Sequence, residues 1–448
     1  MVETASPAHG VGFADAARVW GRVALLSFGG PAGQIAVMHR ILVEEKGWVG
    51  ERRFLHALNY CMLLPGPEAH QLAIYLGWLL HGVPGGVVAG TLFLLPGMLA
   101  ILALSAVYVA FGALAPVAGL FFGLKAAVLA IVLQAVIRVG SRTLKTPGLR
   151  AVALAAFVAI AFLGVPFPLI VLGAGIAGYF GARRGSVREA PAEAGSALGD
   201  AVPAHAVPGA GGSLRAAWIC AGLWLAPVLA LVLLVGRESV FTRLALFFSQ
   251  MAVVTFGGAY AVLAYVAQQA VQHYGWLRPG EMLDGLGLAE TTPGPLILVL
   301  EFVGFLAGHR APGGLDPWTA ALLGALVVGW VTFLPSFLWI FLGAPYAERL
   351  RFHAGLGGAL TAITAAVVGV ILNLALWFAL HGLFRAVRPV AWGPIRLDLP
   401  VPGSLDPAAL ALAGLAMVAL FRLRLGMGWV LAGSSLLGLA WFALGGRL

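Results

Sequence analysis

Apolar residues run along this chain in long blocks with little polar punctuation. A membrane-spanning helix needs about 20 such residues, and five blocks meet that length: Pro84 to Phe111, Ala115 to Ile137, Leu214 to Val235, Trp318 to Phe341 and Gly358 to Leu380. Four shorter runs, Ala151 to Gly164, Val165 to Phe180, Pro407 to Phe421 and Gly426 to Gly445, predict short or tilted helices joined by tight turns. Two further runs in each half are apolar but interrupted. In the first half, Phe13 to Val43 breaks at Gly29-Gly30-Pro31 and Phe54 to Leu80 breaks at Pro65-Gly66-Pro67. Both breaks combine missing N–H donors with residues of low helix propensity. The polar stretch Ala182 to Ser213 reads as a loop between halves.

The two halves are repeats in register. Ser27-Phe28-Gly29-Gly30 recurs as Thr255-Phe256-Gly257-Gly258, Gly47-Trp48 as Gly275-Trp276, and Pro65-Gly66-Pro67 as Pro293-Gly294-Pro295, all at one offset (255 − 27 = 228). Later, Leu95-Pro96 matches Leu334-Pro335 and Ala126-Ala127 matches Ala365-Ala366 at an offset of 239 (335 − 96). The 11 extra residues are most simply the polar loop around Arg310 to Asp316. Counted as broken, broken, long, long, short and short, a repeat has an even number of elements, so it begins and ends on one side of the membrane. The extra helix Leu214 to Val235 then flips the second repeat. The expected organisation is a first membrane repeat over 13–181, a cytoplasmic linker over 182–213, a connecting helix over 214–236 and an inverted repeat over 241–445. Inverted repeats with discontinuous helices place a transport site near the midplane.

Composition narrows the class. Only 10% of the residues are charged and 61% are hydrophobic, with a mean hydropathy of +0.96, whereas a soluble domain carries about 25% charged residues. The fold class is therefore an all-α polytopic membrane protein. A soluble enzyme, a disordered scaffold and a nucleic-acid binder are excluded for the whole chain. The net charge of +9 then signifies orientation, contact with membrane lipid or an anionic substrate. Arg138, Arg142, Lys145 and Arg150, with Arg183, Arg184 and Arg188, fall on one side, which the positive-inside rule makes cytoplasmic. The second half is divided, with Arg349, Arg351, Arg422 and Arg424 inside and Arg385, Arg388 and Arg396 outside. Cys61 and Cys220 lie in apolar runs without a CxxC, so neither a disulfide framework nor a metal site is expected. The first dozen residues lack the plan of a cleaved signal peptide.

With the FGG, GW and PGP motifs each present twice, the sequence resembles the chromate ion transporter family in its long, two-repeat form. The motifs recur in order: S-F-G-G-P at Ser27 to Pro31, L-L-P-G-P at Leu63 to Pro67, G-W at Gly77-Trp78 and L-P at Leu95-Pro96. The resemblance implies export of chromate across the inner (plasma) membrane and resistance to it. Some members are linked to sulfate-like anions, so both oxyanions stay open. Members often carry Ser after the Pro of the third element. Here Gly97 follows Pro96 while Ser336 follows Pro335.

The candidate substrate-binding residues are the breaks and their charged neighbours. An interrupted helix frees backbone N–H groups and presents its positive end, which suits a tetrahedral dianion; close packing and kinking are the plainer uses of the same residues. The set is Ser27, Phe28, Gly29, Gly30, Pro65, Gly66 and Pro67 with Thr255, Phe256, Gly257, Gly258, Pro293, Gly294 and Pro295. Lys125 lies mid-helix, where a charge costs at least ~2.5 to 3.5 kcal/mol; it serves the substrate, snorkels or pairs with a carboxylate. Arg22 is a weaker candidate beside a juxtamembrane anchor role. Glu68, directly after Pro67, is a helix-dipole cap or a gate. Gln71, with His70, lines the pathway or packs. Glu290 precedes the second PGP and Glu301 follows it, and neither has an acidic repeat mate. Gly173 to Gly178 fits GxGxxG but lies inside a membrane helix with no preceding strand, so small-residue packing explains it. No cofactor or catalytic residue is expected, and a homo-oligomer is left open. The rival readings are an intramembrane enzyme acting on a phosphorylated lipid, which needs a nucleophile beside clustered Arg, and a passive anion channel.

Overall fold

The computed structural model describes residues 10–28, 30–112, 114–181, 211–256, 259–346, 354–393 and 395–445. Gly29, Gly257 and Gly258 lie outside them, as do Arg183, Arg184, Arg188, Arg349 and Arg351 and the predicted linker up to residue 210. Ser213, assigned above to that linker, is already helical, and its hydroxyl accepts the indole N–H of Trp78 at 3.1 Å.

The chain is an all-α polytopic membrane protein. The first repeat comprises α1 (Phe13–Leu26), α2 (Gly30–His39), α3 (Glu51–Cys61), α4 (Glu68–Phe111), α5 (Ala115–Thr143), α6 (Pro147–Ala161) and α7 (Phe167–Gly181). Helix α8 (Gly211–Ala230) connects to α9 (Val240–Val254), α10 (Ala259–Gln268), α11 (Glu281–Thr291), α12 (Val299–Arg310), α13 (Pro317–Gly343), α14 (Ala354–Leu383), α15 (Pro407–Met417) and α16 (Met427–Ala443). Five stretches are long and apolar enough to cross a membrane: Glu68–Phe111, Ala115–Thr143, Gly212–Val235, Pro317–Tyr346 and Gly357–Leu383. They match the five long blocks of the sequence, the first extended backward to the PGP break.

That extension is a bent one. A straight helix of 44 residues would measure about 66 Å, roughly twice the hydrocarbon thickness. The backbone leaves helical geometry at His81 (φ −136°) and Gly82 (φ +61°), and the two arms fold back on each other. The approach is so close that a Cβ on Gly77 would lie 2.5 Å from the Gly85 carbonyl oxygen. In the second repeat α12 and α13 make the equivalent hairpin, with Gly304 against Gly324 and a Cβ distance of 2.5 Å. The polar loop 311–316 stands where the first repeat turns at Gly82.

The last helices of each repeat pack on the other repeat. Helix α16 lies along α5, while α6 and α7 lie along α14. Gly123 and Gly438 let the α5 and α16 backbones touch, and Gly178 faces the Gly358 carbonyl. Small residues at such crossings let apolar helices gain van der Waals contact where no hydrophobic driving force separates them from lipid. Gly175 and Gly178 of the GxGxxG run serve this purpose, meeting Ile363 and α14 respectively.

One element was not anticipated. Val387–Trp392 and Ile395–Pro400 pair as an antiparallel hairpin, Val387 opposite Pro400. Its signal was present in the alternation Ile395-Arg396-Leu397-Asp398-Leu399, with period two.

Candidate functional site

The helix breaks meet, and they meet across the repeats. The Gly66 N–H donates to the Thr255 carbonyl at 2.8 Å, and the Gly294 N–H donates to the Ser27 carbonyl at 2.8 Å. Each residue of one bond is the 228-offset mate of a residue of the other. The hydroxyls of Ser27 and Thr255 turn back on their own helices, to the carbonyls of Val23 and Met251 at 2.6 and 2.5 Å. These two side chains close the last carbonyls of α1 and α9, so the helices stop at matching positions.

Left-handed backbone makes the junction. Gly66 has φ +127° and Gly294 φ +93°, conformations that L side chains rarely adopt. Pro67 and Pro295 follow and start the next helical segments, α4 and the short turn Leu296–Leu298 that leads into α12. Within α4 the first amide with a preceding acceptor is that of Gln71, on the Pro67 carbonyl. The N–H groups of Glu68, Ala69 and His70 are thus left over, as at any helix start.

Polar side chains line both pairings. Gln71 Nε2 donates to the Pro65 carbonyl at 2.7 Å, and Gln34 Nε2 donates to the Gly294 carbonyl at 2.6 Å. The buried Gln71 Oε1, Gln34 Oε1 and Ser336 Oγ have no bonding partner among the described residues, and Ser336 Oγ lies 3.2 Å from where a Gly66 Cβ would be. The same position of the first repeat cannot hold a serine. A Cβ on Gly97 would lie 2.2 Å from the Pro293 carbonyl oxygen, which accounts for the departure from the family pattern after Pro96.

On one flank, Phe28, Leu124, Glu290, Thr291 and the α16 residues Met427 and Leu431 surround a cavity of about 430 Å³. Glu290 accepts the Tyr260 hydroxyl at 2.7 Å, and that hydroxyl lies 3.9 Å from the Cβ position of Gly30. Phe28, Gly30 and Glu290, three of the residues singled out in the sequence, are thereby brought together. Phe256 is half-buried at the corresponding break, and Glu68 sits half-buried in the first turn of α4.

Other candidates have different partners. Lys125 Nζ pairs with Asp284 of the second repeat at 3.2 Å, and Tyr108 donates to the same carboxylate oxygen at 2.9 Å. Its repeat mate Thr364 bonds its own helix at the Leu360 carbonyl. Nearby, Arg310 grips Glu281 through two bonds of 2.6 and 2.8 Å. Arg22 reaches Glu45 at 2.7 Å, with both side chains partly exposed. Tyr260, Asp284, Tyr108 and Gln34 escaped sequence reasoning because nothing local marks them. Ser336 was marked, by its place after Pro335.

A protein family described as "Chromate transporter" matches residues 14–179 and 242–439. The chromate transport protein of Pseudomonas aeruginosa is 36% identical over 356 residues, covering 78% of this chain and 76% of that one. That of Cupriavidus metallidurans is 28% identical over 425 residues, covering 94% and 92%. An uncharacterized transporter of Methanocaldococcus jannaschii is 24% identical over 360 residues, covering 80% and 82%. No solved structure matches. With both repeats spanned by the family model, the chain belongs to the chromate transporter family.

Proposed function

We propose that this protein carries chromate out of the cell across the inner membrane, binding it at the junction of the four helix breaks. The reading rests on the reciprocal pair of hydrogen bonds, Gly66 to Thr255 and Gly294 to Ser27. Each bond fastens one helix start, that of α4 or that of the turn before α12, to the opposite repeat, and the start of α4 keeps unspent N–H groups. Such helix starts suit a tetrahedral dianion, and the hydroxyl of Ser336 and the second N–H of the Gln71 amide, whose first goes to the Pro65 carbonyl, add donors of adjustable geometry. The repeats are inverted in the membrane in this reading, so that rocking one against the other exposes the junction alternately to each side. An anion leaving an inside-negative cell moves with the potential. Export therefore needs no nucleotide.

The lipid-phosphate enzyme reading asks for a nucleophile beside clustered arginines. The described junction offers Gly, Pro, Gln and Ser, with Arg22 engaged at the surface. The test is flux of labelled chromate in proteoliposomes, with sulfate as competitor. Saturable chromate flux that responds to an imposed potential is the expected result. Absence of flux from folded protein would reject the proposal, and equal competition by sulfate would widen the substrate class to divalent oxyanions.

A further inference from the structure

An anion site has little use for a lone carboxylate, yet Glu290 lines the cavity beside the first break. It is 5% exposed. One oxygen accepts the Tyr260 hydroxyl, and the other, Oε2, is buried without a partner among the described residues. The cavity around it is lined mainly by Phe28, Leu124, Met427 and Leu431, with Thr291 and Ser435 as its hydroxyls.

No cation among the described residues bonds it. On its own helix, Asp284 is held by Lys125 and Tyr108 and Glu281 by Arg310. From α5, Lys125 is thus committed, and the exposed Arg138, which bonds Gln134, is the cation whose charge reaches Glu290 without bonding it. Tyr260 is the titratable group that α10 directs at it. Helix α12 contributes Glu301, turned against Gly329, together with His309 and the paired Arg310. Helix α4 contributes Glu68 and His70 near the second break, and Tyr108, whose hydroxyl is spent on Asp284. Helix α16 and the turn Leu296–Leu298 carry no titratable residue. An ionised Glu290 would face a dianion across an apolar wall, where repulsion is weakly screened. A neutral Glu290 would present an O–H donor instead.

We propose that Glu290 is a proton site coupled to the transported anion, so that one proton travels with each chromate dianion. The inference rests on the transport reading above. On the loading side, a water-borne proton bonds to Oε2 as the dianion arrives; on the releasing side the O–H bond breaks and both leave. By linkage, the anion raises the proton affinity of Glu290 as much as the proton raises the affinity for the anion.

The experiment is a flux-reversal measurement on the full chain in proteoliposomes. With one proton per dianion the net moving charge is one, and a tenfold chromate gradient is balanced at about 59 mV; an uncoupled dianion is balanced at about 30 mV. A pH difference of one unit shifts the first balance by about 59 mV and leaves the second unmoved. Wild type is expected to follow the first pattern and Glu290→Gln the second. Chromate flux balanced at about 30 mV in wild type overturns the proton site alone. A proton dependence that survives in Glu290→Gln also overturns it, because chromate itself or another group then carries the proton. Absence of any chromate flux in wild type takes down the transport reading and this inference with it. Where Glu290→Gln binds but does not carry, chromate affinity against pH gives the same answer. The wild-type affinity should rise up to tenfold per unit of acidification and the variant's should rise less, whereas equal slopes overturn the proposal.

Discussion

The N–H of Gly294 is bonded to the carbonyl of Ser27 at 2.8 Å, so the last break of the second repeat is fastened to the first break of the first. Because Gly66 and Thr255 repeat the arrangement, neither repeat owns a complete junction. A change at one break therefore acts on the other repeat's break before it acts on its own.

Gly66→Ala and Gly30→Ala should separate strain from crowding. At Gly66 the methyl meets Gln71 Nε2 at 2.8 Å in addition to the φ of +127°, and such backbone alone costs of order 1–3 kcal/mol. At Gly30, with φ +75°, the nearest atom is 3.9 Å away, leaving about 1–2 kcal/mol of left-handed cost. Transport by Gly66→Ala should be lost, and that by Gly30→Ala reduced but measurable, at similar membrane levels. Comparable loss in both would trace the effect to backbone conformation alone.

Gly97→Ser and Ser336→Ala probe the broken symmetry of the third elements. The serine at 97 would drive its Cβ into the Pro293 carbonyl at 2.2 Å, and overpacking of this kind costs typically 1–3 kcal/mol or more. Reduced thermal stability in detergent is expected. Ser336→Ala removes a buried hydroxyl with no partner among the described residues, so stability should hold or rise by about 1 kcal/mol while apparent chromate affinity falls. An unchanged affinity would remove Ser336 from the substrate.

Lys125→Thr leaves Asp284 buried with Tyr108 as its remaining partner. Breaking a buried pair costs about 3–5 kcal/mol, and the low end applies because the Lys125 side chain is 33% exposed. Lower membrane abundance and melting temperature are expected, with recovery in the double variant Lys125→Met, Asp284→Asn. A single variant of normal stability but weakened chromate binding would return Lys125 to the substrate path.

The repeat offset carried much of this architecture in plain view. Ser27 and Thr255, or Gly66 and Gly294, can be matched by subtraction, and the turn at His81-Gly82 falls between the runs ending at Leu80 and beginning at Pro84. What subtraction cannot reveal is which break faces which. The mating of Ser27 with Gly294, like that of Lys125 with Asp284, joins residues far apart in sequence with no mutual local signature. Glu290 was visible as a carboxylate before a break, but its partner Tyr260 was one tyrosine in an apolar run. The β-hairpin was missed because its alternation is short and sits among membrane helices.

Asp406, at the start of α15, offers a pH test outside the membrane segments. Burial pushes its carboxyl up, but the Arg385 guanidinium at 2.9 Å and the N–H groups of Ala408 and Ala409 outweigh burial and hold it below the usual carboxylate value. A carboxyl depressed in the folded state stabilises above its unfolded value, about 3.9, and loses that contribution as pH falls through the folded one. Asp406→Asn keeps a competent cap but loses the charge pairing with Arg385, so it should lower the melting temperature at pH 7, for a loss of up to about 1 kcal/mol. The gap to wild type should narrow below about pH 4. A gap constant down to acid pH would assign the effect to packing.

Because α16 completes the packing of α5, the first half leaves the ribosome unfinished. Helix α5 is synthesised long before α16 exists, and at 5–20 residues per second the delay is on the order of tens of seconds. During that interval the small-residue face around Gly123 has lipid, or an insertion chaperone, for company. Assembly of this protein is thus a late event that waits on α16, and truncation before α16 would strand the N-terminal repeat in the membrane as a quality-control substrate.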